Sequence, residues 1–265
     1  MIGYHFGSLS FFYWMRKLLY SFALLFVLCT NIDAQIVNIE NQRKSDTTKV
    51  LVGSTGLSID FNKSTSTIFT AKNSTKIQYY QNKNIYLLMT DLQMMQIDTV
   101  RYLNNGFMHL RYNHNFDNEW LIAEAFTQVQ FNRIQKINRR FLWGGGARYV
   151  ILNNEKIKIH AGTALMYEFE LYIDDVYQDM VRMSDYLTVM YKPTPHFTFR
   201  LSSYYQPRIN QFSNFRINTE ASAEAVIIKN LSFKTKFEHY YDSKPAPAVQ
   251  KIFYSLHNGL VWRFN

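Results

Sequence analysis

The sequence predicts an all-β chain, a twelve-stranded antiparallel transmembrane β-barrel of outer-membrane type, within a range of ten to fourteen strands. Three observations predict it: long stretches of alternating apolar and polar residues, charge confined to one of the two faces, and aromatic rings gathered at two levels. The alternation is clearest from Arg139 to Leu171. Phe141, Trp143, Gly145, Ala147, Tyr149 and Ile151 hold odd positions, and the odd series resumes at Ile157 and runs to Leu171. Arg140, Arg148, Lys158, His160, Glu168 and Glu170 hold even ones. A period of two marks a strand with unlike faces. Asn153-Asn154-Glu155-Lys156 interrupts the series with turn chemistry, which makes the stretch a hairpin. Its arms are about twice the usual strand length, enough to cross a bilayer at a tilt.

Ahead of this pattern stands one continuous apolar run, Leu18 to Leu28, preceded by Arg16 and Lys17 and followed by Ile32-Asp33-Ala34. That order predicts a cleaved signal peptide over residues 1–34, cut between Ala34 and Gln35. A start at Met15 fits the signal better than a start at Met1. The run is too short to cross a membrane as a helix. Cys29 does not read as a lipidation site, because Leu28 is too bulky for the position before it. Cleavage removes the one cysteine, so the exported chain has neither disulfide nor thiol chemistry. Residues 35–48 are polar and aperiodic, a flexible periplasmic lead-in to a barrel over 49–265.

The strands are expected at 50–61, 67–79, 85–97, 101–113, 119–132, 139–152, 157–171, 181–192, 197–208, 214–227, 231–242 and 251–264. No amphipathic helix and no linker divides them, so the barrel reads as one domain. Connections such as Gln81 to Asn84, Asn153 to Lys156 and Lys229-Asn230 are short. Tyr172 to Met180, Ile209 to Ser213 and Ser243 to Gln250 read as longer loops at the opposite end, with the short turns periplasmic.

Charge separates the faces more sharply. Within 121–131, 141–151, 157–171, 181–191, 197–207 and 215–227, Asp185 is the one charged residue among the odd positions, whereas the even positions of the same strands carry arginines, lysines and glutamates. The odd face must therefore meet an apolar medium. A barrel of twelve strands is too wide for side chains to fill, and sandwich strands are shorter, which leaves lipid. Tyr79 with Tyr86, Tyr112 with Trp120, and Tyr191 with Phe197 flank turns at one end. Phe131 with Phe141, Phe169 with Leu171, and Tyr205 with Phe215 flank the other. Ala123, Ala125, Thr163, Leu201, Ala221 and Ala223 lie between the two levels, as in the girdled wall of a membrane barrel.

The even face supplies the candidate functional residues. Arg140, Arg148, Glu168, Glu170, Arg182, Arg200, Arg216, Glu220 and Glu224 are expected to line the lumen. Arg111, Glu124, Lys158, Lys192, Arg208, Lys234, Lys236, Glu238 and Asp242 share that face. Such a set gives a water-filled pore a mild anion preference, or else pairs across strands and nearly fills the lumen. The net charge of +9 is scattered without a block of like charges, which argues against a nucleic-acid partner. Gly144-Gly145-Gly146 is not followed by a helix, so Gly144 and Gly146 read as lumen space for Arg140, Arg148 and neighbouring strands, or as a means of strong coiling, rather than a phosphate cradle. Ser203 and His239 share the outward face but stand two strands apart, about 10 Å, beyond hydrogen-bond reach. His109, His114 and His160 lack metal-ligand spacing, and neither a metal nor a cofactor is expected. Asn62-Lys-Ser and Asn73-Ser-Thr match a glycosylation triplet that carries little meaning in a cell envelope.

Several of these residues also resemble a known group. Arg140 with Gly144-x-Gly146-x-Arg148-Tyr149, Gly162, and Tyr167-Glu168-x-Glu170 begin the likeness. Arg182, Ser184, Tyr204-Tyr205-Gln206-Pro207, Phe215-Arg216 and Tyr240-Tyr241-Asp242-Ser243-x-Pro245 continue it, with Lys251, Leu260 and Phe264 at the end. Together they resemble the YdiY-like outer-membrane barrels, domain-of-unknown-function family 481, over roughly 120 to 264. Asn265 departs from the pattern by following the terminal aromatic residue. The resemblance implies an outer-membrane barrel and brings no activity.

The function expected is therefore that of a non-enzymatic envelope protein, structural or a narrow passive channel. Its partners would be outer-membrane lipids and lipopolysaccharide, the barrel-insertion machinery and a small anionic solute. The alternatives are a barrel enzyme acting on lipid or glycan, and an anchor that holds a partner through 172–180 or 35–48.

Overall fold

The computed structural model describes residues 50–63, 65–118 and 120–262. The expected signal peptide, its Ala34/Gln35 junction and the lead-in over 35–48 lie outside the described residues, as do Phe264 and Asn265. Among the described residues thirteen strands make one antiparallel sheet. They are β1 (Leu51–Lys63), β2 (Thr67–Gln81), β3 (Asn84–Ile97), β4 (Val100–Asn115), β5 (Leu121–Asn132), β6 (Ile137–Asn153) and β7 (Ile157–Tyr172). There follow β8 (Tyr177–Met183), β9 (Asp185–Thr194), β10 (Phe197–Arg208), β11 (Gln211–Ile228), β12 (Leu231–Asp242) and β13 (Ile252–Trp262). Eleven of the twelve expected spans agree with single strands to within a few residues, because the period-two pattern and the turn residues fix both faces and ends.

The exception is the eighth, which divides into β8 and β9 on either side of Ser184. Both pieces pair with β7 and with β10. The cause lies across the ladder. Ile209 N–H donates to the Val181 carbonyl at 3.1 Å, and Tyr205 is in register with Asp185. Between them Pro207 occupies the place of a donor and has no N–H to give. The register against β11 also shifts there, between Pro207 and Arg208. Arg182 fills the gap by donating from Nη1 to the carbonyls of Gln206 and Asn214, at 3.1 and 3.2 Å.

The expected difference in connection length does not hold. β8 begins at Tyr177 and β11 at Gln211, so the long loops predicted at Tyr172 to Met180 and Ile209 to Ser213 shrink to tight turns. Polar residues such as Gln178 and Asp179 suggested loop, but they pair with Glu170 and Phe169 and extend the ladder. One long connection remains at that end, between Asp242 and Ile252.

The sheet curls strongly enough for side chains to meet across its concave side. Tyr186 of β9 donates from its hydroxyl to Glu124 Oε2 of β5 at 2.6 Å, and Asp91 of β3 stands within electrostatic reach of Lys236 and Glu238 of β12. The convex side is apolar and exposed, as at Trp143, Leu165 and Leu110. The concave side is mostly polar and buried, with one unforeseen patch: Leu87, Met89 and Phe107 cluster there. Among the described residues no helix is long and apolar enough to cross a membrane, which says nothing of strands.

Two glycine positions show how tightly the sheet is coiled. A Cβ at Gly146 would stand 2.0 Å from the Thr163 carbonyl oxygen, so β6 and β7 approach through that position. Gly144 and Gly146 thus leave room for the neighbouring strand, one of the expected roles. Gly162 serves a ring: a Cβ there would meet Tyr186 at 2.2 Å. The Tyr186 ring lies flat over this bare stretch of β7 on its way to Glu124. Gly162→Ala is expected to displace the ring and destabilise the fold by about 1–3 kcal/mol, measured by urea unfolding in detergent.

Neighbouring turns are tied by an ion pair between Lys83 and Asp117. The hydrogen bond from Lys83, with its positive charge, holds the Asp117 carboxyl below the usual carboxylate range. A carboxylate depressed in the folded state stabilises above its unfolded value, and that contribution fades as pH falls through the folded one. Lys83→Ala should return the Asp117 titration midpoint to the ordinary range, read by NMR.

Candidate functional site

Six charged side chains meet on the concave side, toward the end where Asp242 leads into the long connection. Strand geometry brings them together. Glu168 and Glu170 are two residues apart on β7 and so share a face. Arg140 is in register with Glu170, and Arg216 with Asp242. Curling then carries Arg216 of β11 across to β7. Its Nη1 stands 2.5 Å from Glu168 Oε1, its Nη2 3.0 Å from Glu170, and its Nε 2.8 Å from Asp242 Oδ2. Arg140 reaches Glu168 Oε2 with Nη2 at 2.6 Å and Glu170 Oε1 with Nε at 3.3 Å. Arg182 Nε lies 3.7 Å from Glu168 Oε1, and its Nη2 donates to Asn214 Oδ1 at 3.0 Å. Tyr172 donates to Glu170 Oε2 at 2.7 Å.

Three guanidinium groups thus face three carboxylates in a neutral group. Glu168 and Glu170 are 0% exposed, so neither carboxylate touches solvent. Charges this far from water are tolerable only when each is paired and hydrogen-bonded. An apolar cap seals the group: Ile137, Tyr172 and Ala246 cluster above it with Val249 beside them. Lys136 Nζ holds the cap by donating to the Pro247 carbonyl at 2.9 Å. A space of only about 10 Å³ remains between Arg216, Asp242 and the capping residues.

Deeper in the curl a second group forms around Glu124. Arg111 Nη1 lies 3.7 Å and Arg148 Nη1 4.0 Å from this carboxylate, which also accepts the Tyr186 hydroxyl. Between the two groups lies a cavity of about 70 Å³, lined by His109, Gln128, Gln130, Ser184, Tyr204, Gln206 and Asn218 among others. His109 Nδ1 bonds Gln128 Oε1 at 3.0 Å, and Gln128 Nε2 donates to Gln130 Oε1 at 3.0 Å.

Of the nine residues expected to line the lumen, Arg140, Glu168, Glu170, Arg182 and Arg216 join the first group, while Arg148 joins the second. Arg200, Glu220 and Glu224 belong to neither; they sit farther along β10 and β11, where Glu224 is in register with Lys234 and Glu220 with Glu238. Tyr172, Tyr186 and Asn214 were not foreseen. Tyr172 has a signal, since it continues the even series after Glu168 and Glu170. Tyr186 has the same parity, but nothing in the sequence tells that its ring crosses to β5. On the convex side Ser203 Oγ bonds Thr219 Oγ1 at 2.8 Å, and Thr219 is in register with His239, so a residue stands between the serine and the histidine. Among the described residues no group of three or more His, Cys, Asp or Glu side chains is placed to hold a metal ion.

Removing one carboxylate strands the guanidiniums around it. Glu168→Gln is expected to cost about 3–5 kcal/mol in urea unfolding, the range for breaking a buried ion pair. Glu224→Gln, on the half-buried part of the same face, should cost no more than about 1 kcal/mol.

No curated protein matches this chain. Among solved structures, a NanC porin is similar at 10% identity with a TM-score of 0.44, covering 82% of this chain and all of that one. The outer-membrane channel DcaP of Acinetobacter baumannii is similar at 8% identity with a TM-score of 0.36, covering 79% of this chain and 83% of that one. A family model described as protein of unknown function, DUF481, matches residues 55–264. With most of its length inside that match, the chain belongs to the DUF481 family.

Proposed function

We propose that this protein is an integral outer-membrane β-barrel without enzymatic activity, structural or a narrow passive channel whose lumen is lined with charge. In this reading β8 and β9 act as one ribbon, the wall counts twelve ribbons, and it closes between β1 and β13. An even count makes those two antiparallel, and the reach of Asp91 on β3 toward Lys236 on β12 brings the edges near each other. The start of β1 and the end of β13 lie at the same end as the turns Gln81 to Asn84 and Ile228 to Leu231; that end is the periplasmic one. Lipid and lipopolysaccharide would bathe the convex wall after the chain is delivered by the barrel-insertion machinery.

The observation that carries the narrow-lumen reading is the complete burial of Glu168 and Glu170 where β6, β7, β8, β11 and β12 converge. Ion pairs and an apolar cap occupy the cross-section there. The rest of the concave face includes Arg111, Arg148, Lys158, Arg200, Lys234 and Lys236, with Lys72 and Lys76 of β2, beside Asp91, Glu124, Glu220, Glu224 and Glu238. This slight basic surplus favours a small anion as the solute.

In planar bilayers the purified protein is expected to show a small conductance or none, with anions preferred wherever current flows. A large, stable, weakly selective pore would overturn the narrow-lumen reading. Solubility of the exported chain without detergent would overturn the membrane reading itself.

A further inference from the structure

The convex wall over β2 to β6 carries a dent of about 570 Å³. Ala125 leaves its floor bare, with Gly145 in register beside it. Leu88, Leu110, Thr127 and Trp143 form its walls, and a row of tyrosines closes one end. Tyr86 lies between Tyr79 and Tyr112 in that row, with ring centroids 6.0 and 5.3 Å apart. We propose that this dent is a fixed site for one acyl chain of a membrane phospholipid.

The proposal rests on the outer-membrane reading, and the chemistry of the dent narrows the occupant. Its lining offers water almost no partner. The one wall hydroxyl, on Thr127, donates to the Leu142 carbonyl at 3.1 Å, so its hydrogen bond is spent on the backbone. A cavity of this kind does not hold ordered water and takes an apolar guest. Trp143, 62% exposed, stands proud of the wall on one side and gives a flexible chain a flat surface to lie along.

Polarity sets the direction of the guest. The tyrosine row lies at the turn end, where the Tyr112 hydroxyl donates to Asn84 Oδ1 at 2.8 Å and His114 Nδ1 bonds the same oxygen. Lys83 is the next residue along that turn. Tyrosine hydroxyls and an imidazole at one end, with aliphatic walls beyond and the Lys83–Asp117 pair on the neighbouring turns, match a headgroup at the interface and a chain running inward. That end is the periplasmic one in the reading above. It therefore meets the phospholipid leaflet and not the lipopolysaccharide of the outer surface.

The test uses the full chain, extracted from its own membrane in mild detergent, with bound lipid counted by native mass spectrometry. The wild type should retain one phospholipid per chain. Ala125→Leu, which fills the floor, should lower that occupancy at least tenfold. Ala221→Leu, the same change elsewhere on the convex wall, should leave it unchanged. Thr127→Leu is the second filling variant, so that a folding defect in one leaves the other decisive. Equal phospholipid retention in the filled variants, retention of lipopolysaccharide instead, or a dimer mass without lipid would overturn the proposal. A chain that stays in solution without detergent would overturn the outer-membrane reading, a result distinct from a membrane protein that carries no lipid.

Discussion

Much of this structure depends on the fact that Glu168 and Glu170 cannot be left alone. Two carboxylates on one strand face, both out of water, demand cations at close range from several directions. Arg140 answers from the neighbouring strand, Arg216 from across the curl and Arg182 from the ribbon on the other side. The sheet must bend to bring β11 to β7, so the ion pairs and the curvature require one another. An apolar filling would tolerate several curvatures; this arrangement of charges tolerates few. Buried ionic groups of this kind are weak evidence for stability, and their value here lies in selecting one geometry.

That geometry also divides the concave side into unlike regions. Toward the Asp242 end, balanced charges lie under the cap of Ile137, Tyr172 and Ala246, with about 10 Å³ of space beside them. Beyond it, polar amides and hydroxyls surround a small cavity. Farther still, Arg200, Glu220, Glu224 and Lys234 sit on the half of the face nearer the turns. In the channel proposed above, this end would be the narrow one and the charges beyond it would set any selectivity.

The strands were legible in the sequence because each residue of a wall between unlike media must declare its side. Alternation fixed the faces, and Asn-rich turns fixed most ends. The same logic placed all six members of the ionic group on one face, since parity and charge are both local facts. It could not say which members meet. Arg216 lies 46 residues from Glu170, and only the curvature of the sheet brings them within 3.0 Å. Patterning also failed where polar residues continue a ladder, as at Gln178 and Asp179, because a polar run reads as loop until its partner is known. Leu87, Met89 and Phe107 escaped for the opposite reason: in the early strands apolar residues occur on both faces, and parity alone does not assign them.

The Pro207 interruption ties the wall to its contents. Over most of the sheet, backbone groups bond to backbone groups. At this point a guanidinium from the interior holds two carbonyls on adjacent ribbons while its own Nε leans toward Glu168. Any rearrangement of the inner charges would pull on that stitch, and any flexing of the ribbons would pull back. A single guanidinium thus couples the inner charges to the main chain of two ribbons, at the place where a proline leaves their ladder one bond short.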